Sequence, residues 1–277
     1  MVAELGVRVA GMVDLPIYHA DASIGYIPAA GQRGSFLNKN DWIINSRHMG
    51  AEEFVLDPVA NLLLVGDSIV WGGNPYARAE RLGPQLERRI KGKVWPISAG
   101  SWSLQNELTY LQQNPDVVDK VDTIAFVLNN GDLAPASSWS CTRSHPLTRP
   151  VVALWYLADK HVLQRPCEGT PPELKVESQD VAAMLAAFMA ANTTKRVIVF
   201  LYPDKQEAAD ETLLHSQLEA MESVLRAAGV QEVVSVGRDA RWRGQPQAYK
   251  DAIHPSPHGM GVLAAIMATA LESRAGR

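Results

Sequence analysis

The sequence is sparing in features that would each have pointed to a particular class of protein. It has two cysteines in 277 residues, too few for a small domain built on a dense disulfide framework. It has no cluster of Lys and Arg, and its net charge is −4. A nucleic-acid partner would need a concentrated basic footprint, so that class is set aside. No apolar run reaches the roughly 18 residues that a membrane-spanning helix requires. The longest, Val181–Ala191 and Met260–Leu271, read as core-facing helix segments. Met1–Ile17 is mildly apolar, but Glu4, Arg8 and Asp14 interrupt it, so it does not read as a signal peptide. What remains is the composition of an ordinary globular protein, long enough for one sizeable α/β domain with additions or for two small domains.

The two cysteines, Cys141 and Cys167, fall in one Pro-rich segment. They read either as a disulfide formed in an oxidising compartment, periplasmic or secreted, or as two free thiols in the cytoplasm.

From residue 61 onward, apolar strands alternate with helical patterns. Strands are expected at Asn61–Val65, Val94–Ile97, Thr123–Leu128, Arg196–Tyr202 and Glu232–Val236. Helices are expected at Pro75–Ile90, Leu104–Gln113, Gln206–Ala228 and Pro257–Ser273. Between them, Val181, Met184, Leu185, Phe188 and Met189 recur at the spacing of a helix packed on a sheet. Such alternation gives a parallel sheet covered on both faces, with ligands bound outside the carboxyl ends of its strands. Two segments stand outside the rhythm. Residues 1–60 have no sustained period and read as an N-terminal extension of loops and short strands packed on the core. Residues 133–177 read as an insertion, around a helix at Val151–Leu163, in the domain that spans 61–277.

The chemistry lies in two stretches. Leu63-Leu64-Val65-Gly66-Asp67-Ser68 carries a buried strand into a turn with a serine at its end. Asp251-Ala252-Ile253-His254-Pro255 supplies an acid and a base three residues apart. Serine is a poor nucleophile at neutral pH unless a base takes its proton, and the base needs an acid to fix its tautomer. Ser68, His254 and Asp251 are therefore the candidate catalytic set for acyl chemistry. The sequence lacks the Gly-x-Ser-x-Gly elbow of α/β-hydrolases. Asp67 reads as a capping residue and Asp132 as a structural one. Pro255 and Pro257 oppose a regular helix through His254, so His254 and His258 are not a metal pair; no metal or other cofactor is expected. The remaining histidines read as mostly surface residues.

Gly66-Asp67-Ser68, Gly100 in Ile97-Ser98-Ala99-Gly100-Ser101, the turn Asn129-Asn130-Gly131-Asp132, and Asp251-x-x-His254-Pro255 with Gly259 behind it resemble, in order, the blocks of the SGNH/GDSL hydrolase family. The resemblance covers roughly residues 61–273. It implies a three-layer α/β/α sandwich with a five-stranded parallel sheet, flavodoxin-like in arrangement. It also implies Ser68 as nucleophile, and an oxyanion hole built from the N–H groups of Ser68 and Gly100 and an Asn side chain. The family's Asn stands in a Gly-x-Asn-Asp turn, where this sequence has Gly131. Asn129 or Asn130 must then supply the amide, with Asn129 favoured by its place at the strand's end. Each missing oxyanion donor costs about 10²–10³ in rate.

For the substrate, the sequence offers seven tryptophans. Trp71, Trp102 and Trp139 read either as platforms for sugar rings or as packing beneath the active-site loops. Gly25-Tyr26-Ile27-Pro28 and Trp42-Ile43-Ile44-Asn45-Ser46 resemble segments that precede the SGNH core in proteins editing bacterial surface polysaccharides. Three functions are thereby expected in order: a carbohydrate O-acetylesterase, an O-acyltransferase with the same triad, and a weakly catalytic carbohydrate-binding protein. The sequence is silent on oligomeric state.

Overall fold

The computed structural model describes residues 1–273; the last four residues of the expected 61–277 domain lie outside them. Nine strands are described: β1 (Tyr18–Asp21), β2 (Gly25–Pro28), β3 (Gln32–Phe36), β4 (Asn40–Ile44), β5 (Asn61–Gly66), β6 (Lys93–Ser98), β7 (Thr123–Leu128), β8 (Arg196–Leu201) and β9 (Glu232–Ser235). The α-helices are α1 (Val2–Val9), α2 (Ser68–Trp71), α3 (Leu82–Glu87), α4 (Leu104–Gln113), α5 (Pro115–Lys120), α6 (Ala153–Ala158), α7 (Val181–Ala191), α8 (Lys205–Ala209), α9 (Glu211–Ala227) and α10 (Pro257–Glu272).

Strands β5 to β9 form one parallel sheet in the order β6-β5-β7-β8-β9. Alternate residues of each strand point to opposite faces, and both faces are covered by helices. Leu63, Val65, Phe126, Leu128, Val199 and Leu201 pack with α4, α5, α7 and α9. Leu62, Leu64, Val127, Ile198 and Phe200 pack with α2, α3 and α10. This is the expected α/β/α sandwich. The strand order reverses between β5 and β7, which is the crevice where open α/β sheets bind ligands. Among the described residues no helix is long and apolar enough to cross a membrane.

Two expected helices are broken. Over residues 75–90 the chain forms a short 3₁₀ turn, Arg78–Glu80, and then α3. The extended backbone of Arg81 separates them, and Pro84 lies in α3's first turn, where a proline's missing N–H removes no helical bond. Residues 206–228 divide at Asp210, whose side chain accepts the N–H groups of Thr212 and Leu213 and starts α9. In the insertion, α6 passes into a π-helical turn at Asp159–Leu163. Cys141 and Cys167 form a disulfide that ties the two ends of that helical segment together.

The first 60 residues form helix α1 and two antiparallel hairpins, β1–β2 and β3–β4. The sequence reading anticipated short strands there but no helix. Hairpin β1–β2 reaches the sheet's carboxyl edge: Trp102 Nε1–H donates to the Tyr26 carbonyl at 2.7 Å. The fully buried Asn106 donates to the carbonyls of Ile24 and Ser137, both at 2.9 Å, joining hairpin, α4 and insertion.

Candidate active site

Every expected site residue follows the carboxyl end of a core strand. After β5 the chain turns through Asp67 into α2, which begins at Ser68. Asp67 caps that helix as expected, its Oδ1 accepting the Ile69 N–H at 2.8 Å. The turn requires Gly66, because a Cβ there would lie 2.5 Å from Val70 Cγ2 and 3.2 Å from the Val127 carbonyl oxygen. Bulk at this point would push α2, and Ser68 with it, off the sheet.

His254 arrives on the loop between β9 and α10. Its backbone is pinned on both sides: the Tyr202 hydroxyl donates to the Ile253 carbonyl and the Tyr76 hydroxyl to the Pro255 carbonyl, each at 2.7 Å. Gly259, in the first turn of α10, lies so close to the Ala248 carbonyl that a Cβ would overlap it. His258 stands in that same turn.

These supports bring the three candidate residues together. Asp251 Oδ1 accepts the backbone N–H groups of Ile253 and His254 at 3.1 and 2.9 Å. The ring Nδ1–H of His254 donates to both Asp251 oxygens, at 3.0 and 2.9 Å. That tautomer leaves Nε2 to accept the Ser68 hydroxyl at 3.0 Å. Burial alone would raise the Asp251 pKa, but the N–H groups of His254 and Ile253 and the His254 ring outweigh it and hold the carboxyl below its ordinary value.

The two candidate asparagines diverge. Asn129 is buried; its Oδ1 accepts the Gly131 N–H at 2.8 Å, and its Nδ2 donates to Asp67 Oδ2 at 3.2 Å, beside Ser68. An amide carries two N–H bonds, and only one is used on Asp67. Asn130 is exposed and donates instead to Glu207. Asn129 thus turns toward Asp67 and Ser68 and Asn130 toward Glu207, since at the end of an extended strand successive side chains point to opposite sides. Asp132 Oδ2 accepts the Asn129 N–H at 2.6 Å, the structural role expected of it. Gly100 follows β6, and the space beyond its Cα is open. Among the described residues, neither the Gly100 N–H nor the Ser68 N–H has a partner within the chain.

Three further carboxyls gather beneath this floor. Glu107, on α4, is fully buried, and among the described residues neither of its oxygens has a hydrogen-bond partner. Burial, then the neighbouring Asp132 and Asp67, push its pKa well above the ordinary carboxyl value. Burial raises Asp132 and Asp67 as well. No group of three His, Cys, Asp or Glu side chains among the described residues is arranged to hold a metal ion.

The tryptophan platforms do not form. Trp71, Trp102 and Trp139 are 7, 2 and 7% exposed and serve as packing, Trp71 beneath the Arg81 guanidinium at 4.7 Å. His145 departs from the surface placement expected of it, lying half-buried against Tyr18 and Tyr26. Sequence reasoning also missed Tyr76 and Tyr202, which touch the site only through tertiary hydrogen bonds.

No protein-family model and no curated protein matches the sequence. Solved structures similar to this chain include SGNH and G-D-S-L family hydrolases. A G-D-S-L family lipolytic protein from Veillonella parvula is 16% identical, with a TM-score of 0.44 over 77% of this chain and 98% of its own. An acetylxylan esterase from Geobacillus stearothermophilus is 12% identical, with a TM-score of 0.42 over 77% of this chain and 94% of its own. Another, from the rumen bacterium Butyrivibrio proteoclasticus, is 12% identical, with a TM-score of 0.42 over 80% of this chain and 66% of its own.

Proposed function

We propose that this chain is a serine esterase of the SGNH type that removes small acyl groups, acetyl foremost, from a carbohydrate. The observation that carries the reading is the contact of His254 Nε2 with Ser68 Oγ at 3.0 Å while Nδ1 is held by both oxygens of Asp251. In the reaction, Ser68 Oγ attacks the ester carbonyl carbon as its proton passes to Nε2. The N–H groups of Ser68 and Gly100 and the free Nδ2–H of Asn129 receive the tetrahedral oxyanion. Collapse breaks the ester C–O bond, and the leaving sugar hydroxyl takes the proton back from Nε2. Water, deprotonated by the same nitrogen, then releases the acid from Ser68.

A glycan substrate is supported by the openness of the site. The His254 and Asp251 side chains are 38% and 47% exposed, so a bulky alcohol can approach the base. The same openness admits a sugar hydroxyl in place of water, which keeps the transferase reading alive. Against the binding-protein reading, Asn129, whose amide donates to Asp67 beside Ser68, can stand in for the missing turn asparagine. The disulfide favours action in a periplasmic or extracellular compartment. The test compares p-nitrophenyl esters of increasing chain length, with and without added oligosaccharide. Turnover falling with acyl length supports a small-acyl esterase, and acetyl appearing on the sugar assigns the transferase. Preference for long chains would refute the substrate class.

A further inference from the structure

The loop that carries Gly100 is strained and held from outside the core. The Trp102 N–H donates to the Ala99 carbonyl at 3.3 Å, closing a four-residue turn. Ser101 has φ +63°, whereas Gly100 is not in the left-handed region. That combination describes a type II turn with serine at the position that normally demands glycine. Relaxation to a type I turn would flip the Gly100–Ser101 peptide, turning the Gly100 carbonyl and the Ser101 N–H to opposite sides and re-aiming the adjoining Gly100 N–H, the donor assigned to the oxyanion.

The Tyr26 hydroxyl opposes the flip directly, donating to the Gly100 carbonyl at 2.7 Å, and the His145 ring also bonds the Gly100 backbone. Ser137 Oγ–H, from the insertion, donates to the next carbonyl, that of Ser101. The Tyr26 ring is itself backed by His145, with ring centroids 4.1 Å apart, and His145 packs edge-on against Tyr18 at 4.8 Å. The insertion holds His145 in turn: its N–H donates to the Cys141 carbonyl at 2.9 Å, and its own carbonyl accepts Trp139 Nε1–H at 2.7 Å. Burial pushes the His145 pKa down to about 4, so the ring packs as a neutral group.

We propose that Tyr26, backed by His145, is a positioning residue that holds the Gly100–Ser101 turn in the conformation the oxyanion needs. The N-terminal hairpin and the disulfide-anchored insertion are thereby parts of the catalytic apparatus. The proposal rests on the esterase reading of the site.

Tyr26→Phe tests it, because the ring and its stacking survive while the hydroxyl is lost. Its kcat on p-nitrophenyl acetate is expected to fall about 10-fold, with KM changed less than about twofold. Adding Ser101→Gly, which removes the penalty of the left-handed conformation, is expected to restore most of the lost kcat. A merely structural hydroxyl would not be rescued by a glycine in the turn. Unchanged kcat in Tyr26→Phe, or a loss that Ser101→Gly leaves in place, overturns the proposal while the Ser68-dependent esterase reading stands. Should the wild type hydrolyse no ester, hydrogen exchange across residues 99–102 decides instead. Faster exchange in Tyr26→Phe, reversed in the double variant, sustains the positioning role, and identical exchange in all three proteins refutes it.

Discussion

Replacing Asn129 by alanine removes a side chain whose amide donates to Asp67 beside Ser68 and still has a second N–H to give. The loss of an oxyanion donor costs about 10²–10³ in kcat, or about 2.7–4 kcal/mol of transition-state stabilisation. The substitution also strips two native hydrogen bonds, the acceptor for the Gly131 N–H and the donor to Asp67 Oδ2. Leaving buried partners unsatisfied costs about 1–3 kcal/mol of stability, so a lower Tm is expected alongside the lower kcat. Asn130→Ala is the internal control. That residue is exposed and its amide is bound to the buried Glu207, so about 1–3 kcal/mol of stability but no more than about twofold in kcat should change. The assay is kcat on p-nitrophenyl acetate, measured at a temperature where both variants remain folded by circular dichroism. Equal, small losses in the two variants would refute the assignment, as would an Asn129 effect confined to KM.

Glu107→Gln should stabilise the protein in a pH-dependent way. Its folded pKa is raised, so Glu107 is neutral in both states below the ordinary value of about 4.3 and costs nothing there. As pH rises, the unfolded chain ionises while the folded chain resists, and the wild type loses stability. The Tm gain of Glu107→Gln should therefore be largest near pH 8 and vanish toward pH 4; a gain independent of pH would show that ionisation is not its cause. Cys141→Ser with Cys167→Ser should cost about 3.5 kcal/mol on the chain-entropy model, for a closed loop with a sequence separation of 26. Thiol titration of denatured, unreduced wild type should find no free thiol, and two free thiols would contradict the bond.

Much of the sheet was legible because a parallel strand covered on both faces reads as an uninterrupted apolar run. Thr123–Leu128 matches its expected limits, and the other core strands differ by one residue at one end or, for Lys93–Ser98, at both. Helix limits were less legible where a single residue sets them, as Pro84 and Asp210 do. The juxtaposition of Ser68, His254 and Asp251 could be read because these residues are chemically distinctive and lie in short local patterns. The choice between Asn129 and Asn130 could not, because it depends on which way each side chain leaves the end of β7. Tyr26 and His145 were opaque for a different reason. Their connection to Gly100 runs through a hairpin and an insertion distant in sequence, and no local pattern encodes it. The tryptophans misled because abundance carries no information about exposure.

The most direct test of the central claim is the hydrolysis of p-nitrophenyl acetate by the wild type and by Ser68→Ala, with Tm measured on both. The account predicts saturable hydrolysis by the wild type and a rate at the uncatalysed background for Ser68→Ala, with the fold of the variant intact. Hydrolysis retained by a folded Ser68→Ala protein would contradict it.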